Sequence, residues 1–303
     1  MRHPVGSGAW RRPQSRFRDA VSADGSSGFP AAAGRYHLYV SLACPWAHRT
    51  VIVRRLKGLE HAIGMTIVDP IRDERGWAFT GVPGTDLDPL FGFEFLSQVY
   101  DLSEPGPHHV SVPVLFDRET RRIVNNESSE IIRMLGSEWD AFTDVRLDLY
   151  PEELRDEIDE LEDEVYTNVN DGVYKCGFAG SQRAYDEAVH ALFETLDRLE
   201  ARLGELRYLH GDRITEADWR LFTTLVRFDP VYNTHFKCNL ELIADKPNLL
   251  GYLRELYQVP GVAETVDLDQ IKRHYYLTHA SLNPRRIVAV SNGADLSLPH
   301  GRG

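Results

Sequence analysis

A cysteine in the motif Cys-Pro-Trp-Ala, at residues 44–47, has the features of a reactive thiol. The segment before it, Tyr36–Val40, is short, aromatic and β-branched, as is typical of a buried strand. After the motif, apolar side chains recur at helical spacing between basic ones, and Pro45 is favoured at the first position of a helix. The pattern therefore predicts that Cys44 is the N-cap of a helix that follows a buried strand.

At this position Cys44 is predicted to act as a thiolate nucleophile. Unpaired N–H groups and the positive end of the helix dipole favour the thiolate, and cysteines in such surroundings have pKa values of about 3.5–7.5. Ala47 stands where a dithiol oxidoreductase has its resolving cysteine. A mixed disulfide on Cys44 would therefore need a second thiol, most simply a small-molecule thiol, to resolve it. The alternative interpretation is a buried structural cysteine.

Composition limits the class of protein. The chain has 303 residues, 42% of them hydrophobic and 26% charged, which is the composition of a globular protein long enough for two domains. The formal net charge of -12 argues against nucleic acid or an anionic membrane as a partner, and the apolar runs are shorter than the roughly 20 residues that span a bilayer. Three widely spaced cysteines without metal-ligand spacing favour a cytoplasmic location and predict no bound metal.

The segment Arg35–Thr50 closely resembles the glutathionyl-hydroquinone reductases, also called xi-class glutathione transferases. Further segments resemble the same family in the same order, so that the resemblance runs from about Arg35 to Val288. These segments are Lys57–Glu60, Gly76–Trp77, Val112–Leu115, Val124–Arg133, Arg227–Tyr232, His235–Asn239 and Ile271–Tyr276. The resemblance implies a glutathione-transferase architecture, glutathione as co-substrate without a metal, aromatic glutathionyl conjugates as substrates, and a homodimer.

The order of the predicted elements indicates two domains. After the first helix, Met65–Val68 is predicted to be a second strand, which gives a thioredoxin-like strand-helix-strand start. Further strands are predicted at Val112–Phe116 and Arg121–Val124, and from Pro151 onward the apolar positions follow helical periodicity, with a capping box at Thr215–Asp218. The predicted fold is an α/β thioredoxin-like N-terminal domain followed by an all-α C-terminal domain.

The predicted boundaries follow from composition and pattern. Residues 1–34 are rich in Gly, Pro, Ser, Ala and Arg and are predicted to be a mobile or surface-wrapping arm, while residues 69–109 lack a regular pattern and are predicted to be a functional insertion. The full division is an arm at 1–34, a thioredoxin-like glutathione-binding domain at 35–137, a linker at 138–150, a helical substrate domain at 151–288 and a tail at 289–303.

The thioredoxin-like domain has candidate glutathione-binding residues. The proline of Val112-Pro113 is typically cis in this fold, which lets the residue before it pair with an extended peptide, and the resemblance implies that Val112 pairs with the cysteinyl part of glutathione. Glu127 and Ser128 either cap a helix or, as in glutathione-binding thioredoxin folds, bind the γ-glutamyl end. The resemblance also identifies Trp77 as a glutathione contact.

Tyrosines cluster near the predicted helix ends, and three of them match aromatic-substrate residues of the family. These are Tyr174, Tyr232 and Tyr275, whose hydroxyls are expected from the resemblance to engage the quinol oxygens. A tyrosine offers an aromatic face for a ring substrate and a phenol that donates a hydrogen bond or a proton, although an unselected tyrosine is more often a core residue. Arg273 and His274 either tune this site or are surface or structural residues.

The sequence departs from the family just before the Val-Pro strand. The family usually has a Gly-Arg pair there, with the arginine on the glutathione carboxylate end, whereas this chain has Pro-His-His-Val at 107–110. His109 stands where the arginine is expected. Either it takes a reduced role, charged only near or below about pH 6.5, or another cation such as Arg72 or Arg75 substitutes for it.

The predicted function is glutathione-dependent reduction of glutathionyl-hydroquinones to hydroquinones. Cys44 attacks the glutathionyl sulfur, the quinol carbon leaves with a proton supplied near the tyrosines, and a second glutathione resolves the mixed disulfide on Cys44. The helix N-terminus stabilises the sulfur as it leaves.

Two other functions are compatible with the sequence. A general deglutathionylase or dehydroascorbate reductase of the same fold would need Cys44 but not the three tyrosines. A non-catalytic binding protein of this fold would form no covalent adduct at Cys44. A conjugating transferase is disfavoured, because such enzymes usually activate glutathione with a serine or tyrosine hydroxyl.

Overall fold

The computed structural model describes residues 8–302, which divide into two compact units. The sheet unit consists of residues 13–149 and 264–274, and the helical unit consists of residues 8–12, 150–263 and 275–302. Both units are discontinuous in the sequence, because residues 264–274 pack with the sheet and residues 8–12 pack with the later helices. The first seven residues of the predicted arm lie outside the described part of the chain.

The sheet unit is built on four strands in the order β2-β1-β3-β4. The wholly buried β1 (Tyr36–Val40) is parallel to β2 (Gly64–Ile67) and antiparallel to β3 (Val114–Asp117), and β3 is antiparallel to β4 (Arg122–Asn125). The parallel pair is joined through α1 (Pro45–Leu56). This mixed sheet confirms the predicted thioredoxin-like start and the four predicted strands.

A helix lies within the segment that was predicted to be an irregular insertion. Residues Leu96–Ser103 form α2, whose start is held by the Gln98 side chain, which accepts hydrogen bonds from the backbone N–H groups of Glu94 and Phe95 at 2.9 and 3.0 Å. An eight-residue helix spans barely two turns, which is too short for helical periodicity to stand out in a sequence. The third helix of the unit, α3 (Ser128–Ser137), packs against α1.

Residues 15–19 run along the outer edge of β4. The backbone N–H of Asp19 donates to the carbonyl of Val124 at 3.0 Å, and the N–H of Asn126 donates to the carbonyl of Phe17 at 3.1 Å. The Ser15 hydroxyl donates to the Glu127 carboxylate at 2.9 Å. This segment therefore covers the edge of the sheet that would otherwise be unpaired, and it reaches the start of α3.

The helical unit surrounds a central helix that is buried along its whole length. That helix is α7 (Glu216–Arg227), and its N-terminus carries the predicted capping box, in which the Thr215 N–H donates to Asp218 Oδ2 at 2.7 Å. The other helices of this unit are α4 (Arg155–Val165), α5 (Gly172–Gly177), α6 (Gln182–Glu205), α8 (Asn233–His235) and α9 (Pro247–Tyr257). The last helix, α10 (Leu268–Thr278), begins in the sheet unit, and its residues from Tyr275 onward belong to the helical unit. Two π-helical turns, Tyr166–Asn170 and Phe228–Tyr232, join α4 to α5 and α7 to α8.

Short 3₁₀ turns complete the secondary structure, at Asp140–Phe142, Glu152–Leu154, Ile243–Asp245 and Ala263–Thr265. Within residues 8–302, no helix combines the length and the apolar character needed to cross a membrane.

A buried ion pair fixes the end of the sheet where β1 begins and β3 ends. Arg35 donates to both carboxylate oxygens of Asp117, at 2.9 and 2.6 Å. The same carboxylate, whose side chain is fully buried, accepts from the Thr120 hydroxyl at 2.8 Å and from the Glu119 N–H at 3.0 Å. Burial alone would raise the pKa of Asp117, but these donors outweigh it and hold this pKa below its ordinary value.

We expect Asp117→Asn to lower the free energy of unfolding by about 2 kcal/mol near pH 7, because it removes the buried carboxylate that pairs with Arg35 and leaves the guanidinium paired with the exposed carboxylate of Glu119, at 2.9 Å. A carboxylate whose folded-state pKa is depressed stabilises the fold above its unfolded pKa of about 3.9 and loses that contribution as the pH falls through the folded pKa. The difference between variant and wild type should therefore shrink in acid. Urea unfolding followed by circular dichroism, near pH 7 and in acid, measures it.

The matched control is Arg183→Gln, which breaks an ion pair whose side chains are 89% and 66% exposed. Its effect on the free energy of unfolding should stay within about 0.5 kcal/mol at both pH values. Equal effects of the two substitutions would show that the Arg35–Asp117 pair does not hold the sheet.

Candidate active site

Cys44 is the N-cap of α1, as the sequence predicts. It has extended backbone angles of φ -81° and ψ 122°, and its carbonyl accepts the first hydrogen bond of the helix from the His48 N–H at 3.0 Å. The side chain is 9% exposed, and its Sγ lies 3.6 Å from the carbonyl oxygen of Val112. The thiol is thus held between a helix N-terminus and the backbone that leads into β3.

The Val112–Pro113 peptide bond is cis, as expected for this fold. It stands directly before β3, next to the Cys44 thiol. Val112 is 5% exposed, and its carbonyl oxygen lies 3.6 Å from the Cys44 Sγ. The structure therefore brings together the predicted nucleophile and the predicted peptide-pairing residue.

Glu127 and Ser128 stand at the N-terminus of α3. Glu127 is the N-cap, and its Oε1 accepts a hydrogen bond from the Ser129 N–H at 3.3 Å, while its Oε2 accepts from the Ser15 hydroxyl. The buried Ser128 accepts a hydrogen bond from Arg49 of α1 at 3.4 Å. Capping is therefore one role of the Glu-Ser pair. Glu127 Oε1 also accepts from the Ser129 hydroxyl at 3.1 Å, whereas Oε2 accepts from Ser15 and has a second lone pair for a further donor.

Trp77 is in contact with an imidazole and a guanidinium. Its ring stacks on His274 with a centroid distance of 5.1 Å and an interplanar angle of 17°, and the guanidinium carbon of Arg72 lies 5.2 Å from the Trp77 centroid. His274 is 7% exposed and hydrogen-bonds through Nδ1 to the carbonyl of Pro70 at 2.7 Å. His274 is therefore a structural residue that supports Trp77, and no pattern in the sequence indicated this contact.

The three cations that could replace the family's arginine have different surroundings in the structure. His109 is exposed. Arg75 donates to the carboxylate of Asp73 at 2.9 and 2.5 Å and lies over the ring of Phe95. Arg72, in contrast, lies over the ring of Trp77. Arg72 is thus in contact with a predicted glutathione residue.

The three predicted tyrosines form one hydrogen-bonded group in the helical unit. The Tyr275 hydroxyl lies 2.7 Å from the Tyr174 hydroxyl and 2.9 Å from the Tyr232 hydroxyl. Tyr232 and Tyr275 are 0% and 1% exposed, whereas Tyr174 is partly exposed. Burial, together with the neighbouring Tyr174, raises the pKa values of Tyr232 and Tyr275 well above their ordinary value. We call this group the tyrosine triad.

Local backbone irregularities position the triad. The π-helical turns place Tyr232 at the end of one turn and Tyr174 just after the other. The ring of Phe236 stacks on Tyr232 at 5.4 Å and 10°, and it packs so closely on Gly177 that a Cβ there would lie 2.2 Å from the Phe236 ring. Such π turns are frequent at functional sites, because one inserted residue changes the direction of the side chains that follow.

Comparison with known proteins shows the family of this chain. Residues 43–138 match the glutathione S-transferase N-terminal domain, and residues 182–255 match the glutathione S-transferase C-terminal domain. The chain is 52% identical to the glutathionyl-hydroquinone reductase YqjG of Escherichia coli over 97% of this chain and 92% of that protein. The glutathione-bound structure of YqjG superposes with a TM-score of 0.92, covering 94% of this chain and 96% of that one.

Two further relatives indicate which kind of glutathione transferase this chain resembles. The glutathionyl-hydroquinone reductase PcpF of Sphingobium chlorophenolicum is 48% identical over 93% of this chain and 90% of its own length. The xi glutathione transferase of Phanerochaete chrysosporium is 49% identical, with a TM-score of 0.91 over 96% of this chain and 99% of that one. The fold and the cysteine site thus define a glutathione transferase. Within that class, the chain belongs to the glutathionyl-hydroquinone reductase family, the xi-class glutathione transferases.

Proposed function

We propose that this protein reduces glutathionyl-hydroquinones to hydroquinones and uses glutathione as its co-substrate. The observation that carries the proposal is the position of Cys44, at the N-cap of α1 and 3.6 Å from the carbonyl of Val112. Identity of 52% to an enzyme named for this reaction, whose structure holds glutathione, supports both the reaction and the ligand.

The chemistry proceeds in two thiol steps. In the first, the Cys44 thiolate attacks the sulfur of the conjugate, an S–S bond forms, the carbon–sulfur bond breaks, and the ring carbon takes a proton. In the second, the thiolate of another glutathione attacks the mixed disulfide, so that oxidised glutathione leaves and the Cys44 thiolate is restored. Overall, the thiol of one glutathione and the thioether sulfur of the conjugate become the disulfide of oxidised glutathione, and the carbon–sulfur bond is replaced by a carbon–hydrogen bond. The N-terminus of α1 stabilises the thiolate at each stage.

Glutathione is bound by the sheet unit. The backbone of Val112, before Pro113, pairs with the cysteinyl part of the tripeptide. Glu127 and Ser128 bind the γ-glutamyl end, with the carboxylate on the ammonium group and the hydroxyl and N–H groups of α3 on the α-carboxylate. Trp77, held in place by its two stacking partners, packs against the peptide.

The tyrosine triad binds the quinol oxygens and supplies the proton. The short hydroxyl–hydroxyl distances support this role, because hydrogen bonds from neighbouring hydroxyls stabilise the phenolate that forms when one tyrosine gives up its proton. We also propose a homodimer that works in the cytoplasm. The presence of three free cysteines fits a reducing compartment.

Cys44→Ser is expected to abolish both the covalent adduct and quinol release, because serine is not ionised near neutral pH and cannot form a disulfide. Whole-protein mass spectrometry after incubation with a glutathionyl-hydroquinone should show one glutathione-sized adduct on the wild type, and added glutathione should remove it. The matched control is Cys176→Ser, which changes a buried cysteine of the helical unit. Quinol release that persists in Cys44→Ser would replace this mechanism with that of a hydroxyl-type transferase.

Tyr275→Phe is expected to lower kcat for glutathionyl-hydroquinone about 10²-fold or more, since it removes the hydroxyl that joins the other two and general acids contribute on that scale. Reduction of a simple glutathione mixed disulfide, whose leaving group is a thiolate and needs little help from an acid, should change by less than about threefold. Steady-state kinetics with both substrates measure the contrast.

Tyr185→Phe is the control for the tyrosine prediction, because its hydroxyl donates to the carbonyl of Lys237 and lies outside the triad. It should leave both rates unchanged. If Tyr275→Phe affects neither substrate, the protein is a general deglutathionylase or dehydroascorbate reductase, and the tyrosines have no part in the chemistry.

A further inference from the structure

Arg12 lies over the ring of Tyr174, the partly exposed member of the tyrosine triad. The guanidinium carbon of Arg12 is 4.5 Å from the centroid of the Tyr174 ring. Its Nε donates to Asp171 Oδ1 at 2.8 Å, and the side chains of Arg12 and Asp171 are 25% and 8% exposed. Asp171 precedes Tyr174 by three residues at the start of α5, so both side chains lie on one face of that turn.

The ion pair fixes the orientation of the cation. Asp171 holds the guanidinium through Nε, which leaves the planar group over the Tyr174 ring. A cation over an aromatic face is attracted to its π electrons, and the attraction grows when the phenol oxygen gains negative charge. Arg12 therefore favours Tyr174 as the member of the triad on which negative charge collects.

The triad has one proton per hydroxyl, which limits the directions of its hydrogen bonds. Tyr275 lies between the other two hydroxyls, so when it donates to Tyr174 it accepts from Tyr232. The proton of Tyr174 then points away from the chain of hydroxyls. Burial raises the pKa values of Tyr232 and Tyr275 well above their ordinary value, so both tyrosines keep their protons as hydrogen-bond donors.

We propose that Arg12 is a positioning residue of the reductase, which orients the triad so that Tyr174 is the proton donor when the carbon–sulfur bond breaks. The proton moves from the Tyr174 oxygen to the ring carbon as the S–S bond to Cys44 forms. The resulting phenolate is stabilised by the Tyr275 hydroxyl and by the Arg12 cation, and it takes a proton from water before the next conjugate reacts, while the thiol proton of the second glutathione passes to water. This inference rests on the proposed function of the protein.

Other titratable groups surround the same site. Asp171 and Tyr166 come from the chain before α5, Arg227 and Tyr232 from α7 and the turn after it, and Tyr275 and His279 from α10 and the residue after it. Arg227 acts in the same direction as Arg12, because it lowers the pKa values of Tyr232 and Tyr275 against the larger effect of burial. Arg12 differs from it in lying on the ring of the partly exposed tyrosine.

The decisive variant is Arg12→Met, which removes the charge and keeps an unbranched side chain. We expect single-turnover quinol release from a glutathionyl-hydroquinone to slow about tenfold near pH 7, because the phenolate loses its cation. The basic limb of the pH–rate profile, at which the tyrosine acid loses its proton, should move to higher pH for the same reason. Removal of the Cys44 adduct by glutathione should stay within about twofold of the wild type, since that step needs no acid at the ring carbon.

Two further variants separate charge from packing. Arg12→Lys keeps the cation and should recover most of the rate and the original basic limb. Arg11→Met removes an exposed charge from the neighbouring position and should leave release and its pH profile unchanged. Slower release in Arg12→Met without a shift of the basic limb, or without recovery in Arg12→Lys, would overturn the proposal and leave Arg12 a structural residue.

A measurement without substrate distinguishes failure of this proposal from failure of the proposed function. Titration of the tyrosinate ultraviolet absorbance should show one tyrosine fewer ionising at moderately alkaline pH in Arg12→Met than in the wild type. If the wild type forms no adduct and releases no quinol, the proposed function is wrong whatever this titration shows. If the wild type is active and the two titrations coincide, only the role of Arg12 is wrong.

Discussion

The antiparallel register of β1 and β3 decides where the thiol of Cys44 lies. Tyr39, near the end of β1, pairs with Val114, at the start of β3. The chain that leaves β1 must therefore begin α1 beside the chain that enters β3, which puts the Cys44 thiol against the carbonyl of Val112. The Arg35–Asp117 pair fixes the same two strands at their other ends. A shift of register by one residue would turn every side chain of β1 to the opposite face and separate the proposed nucleophile, Cys44, from the backbone proposed to pair with the peptide.

The helical unit meets a different constraint, the cost of burying phenol hydroxyls. A buried hydroxyl without a partner costs about 1–3 kcal/mol, and the triad avoids this because its three hydroxyls bond to one another. The same low-dielectric surroundings that make those hydrogen bonds strong also disfavour ionisation of the inner tyrosines. In the proposed mechanism the acid is therefore Tyr174, the partly exposed tyrosine at one end of the hydrogen-bonded hydroxyls.

Local sequence signals predicted the parts of the fold that local physics determines. The strand before Cys44, the proline after it and the capping box at Thr215–Asp218 each act within a few residues, and each prediction was confirmed. Helix α2 was missed because eight residues show too little periodicity. The contacts of Trp77 with His274 and of Tyr174 with Arg12 could not be predicted, because each joins segments far apart in the chain and depends on how those segments pack. The family resemblance named the tyrosines but not the residues that hold them.

The net charge of the chain and the local charges at the candidate site have different effects on ligand binding. A net charge of -12 repels polyanions at a distance, yet glutathione carries two carboxylates against one ammonium group. Its candidate site uses fields that act over a few ångströms: the N-termini of α1 and α3, and Arg49, which is 1% exposed and donates to Ser128. These fields are little screened because they are buried, whereas the surface charge is screened by salt beyond about 10 Å. An acidic protein can therefore bind an anionic peptide without an excess of surface cations, provided that buried donors are aimed at the carboxylates.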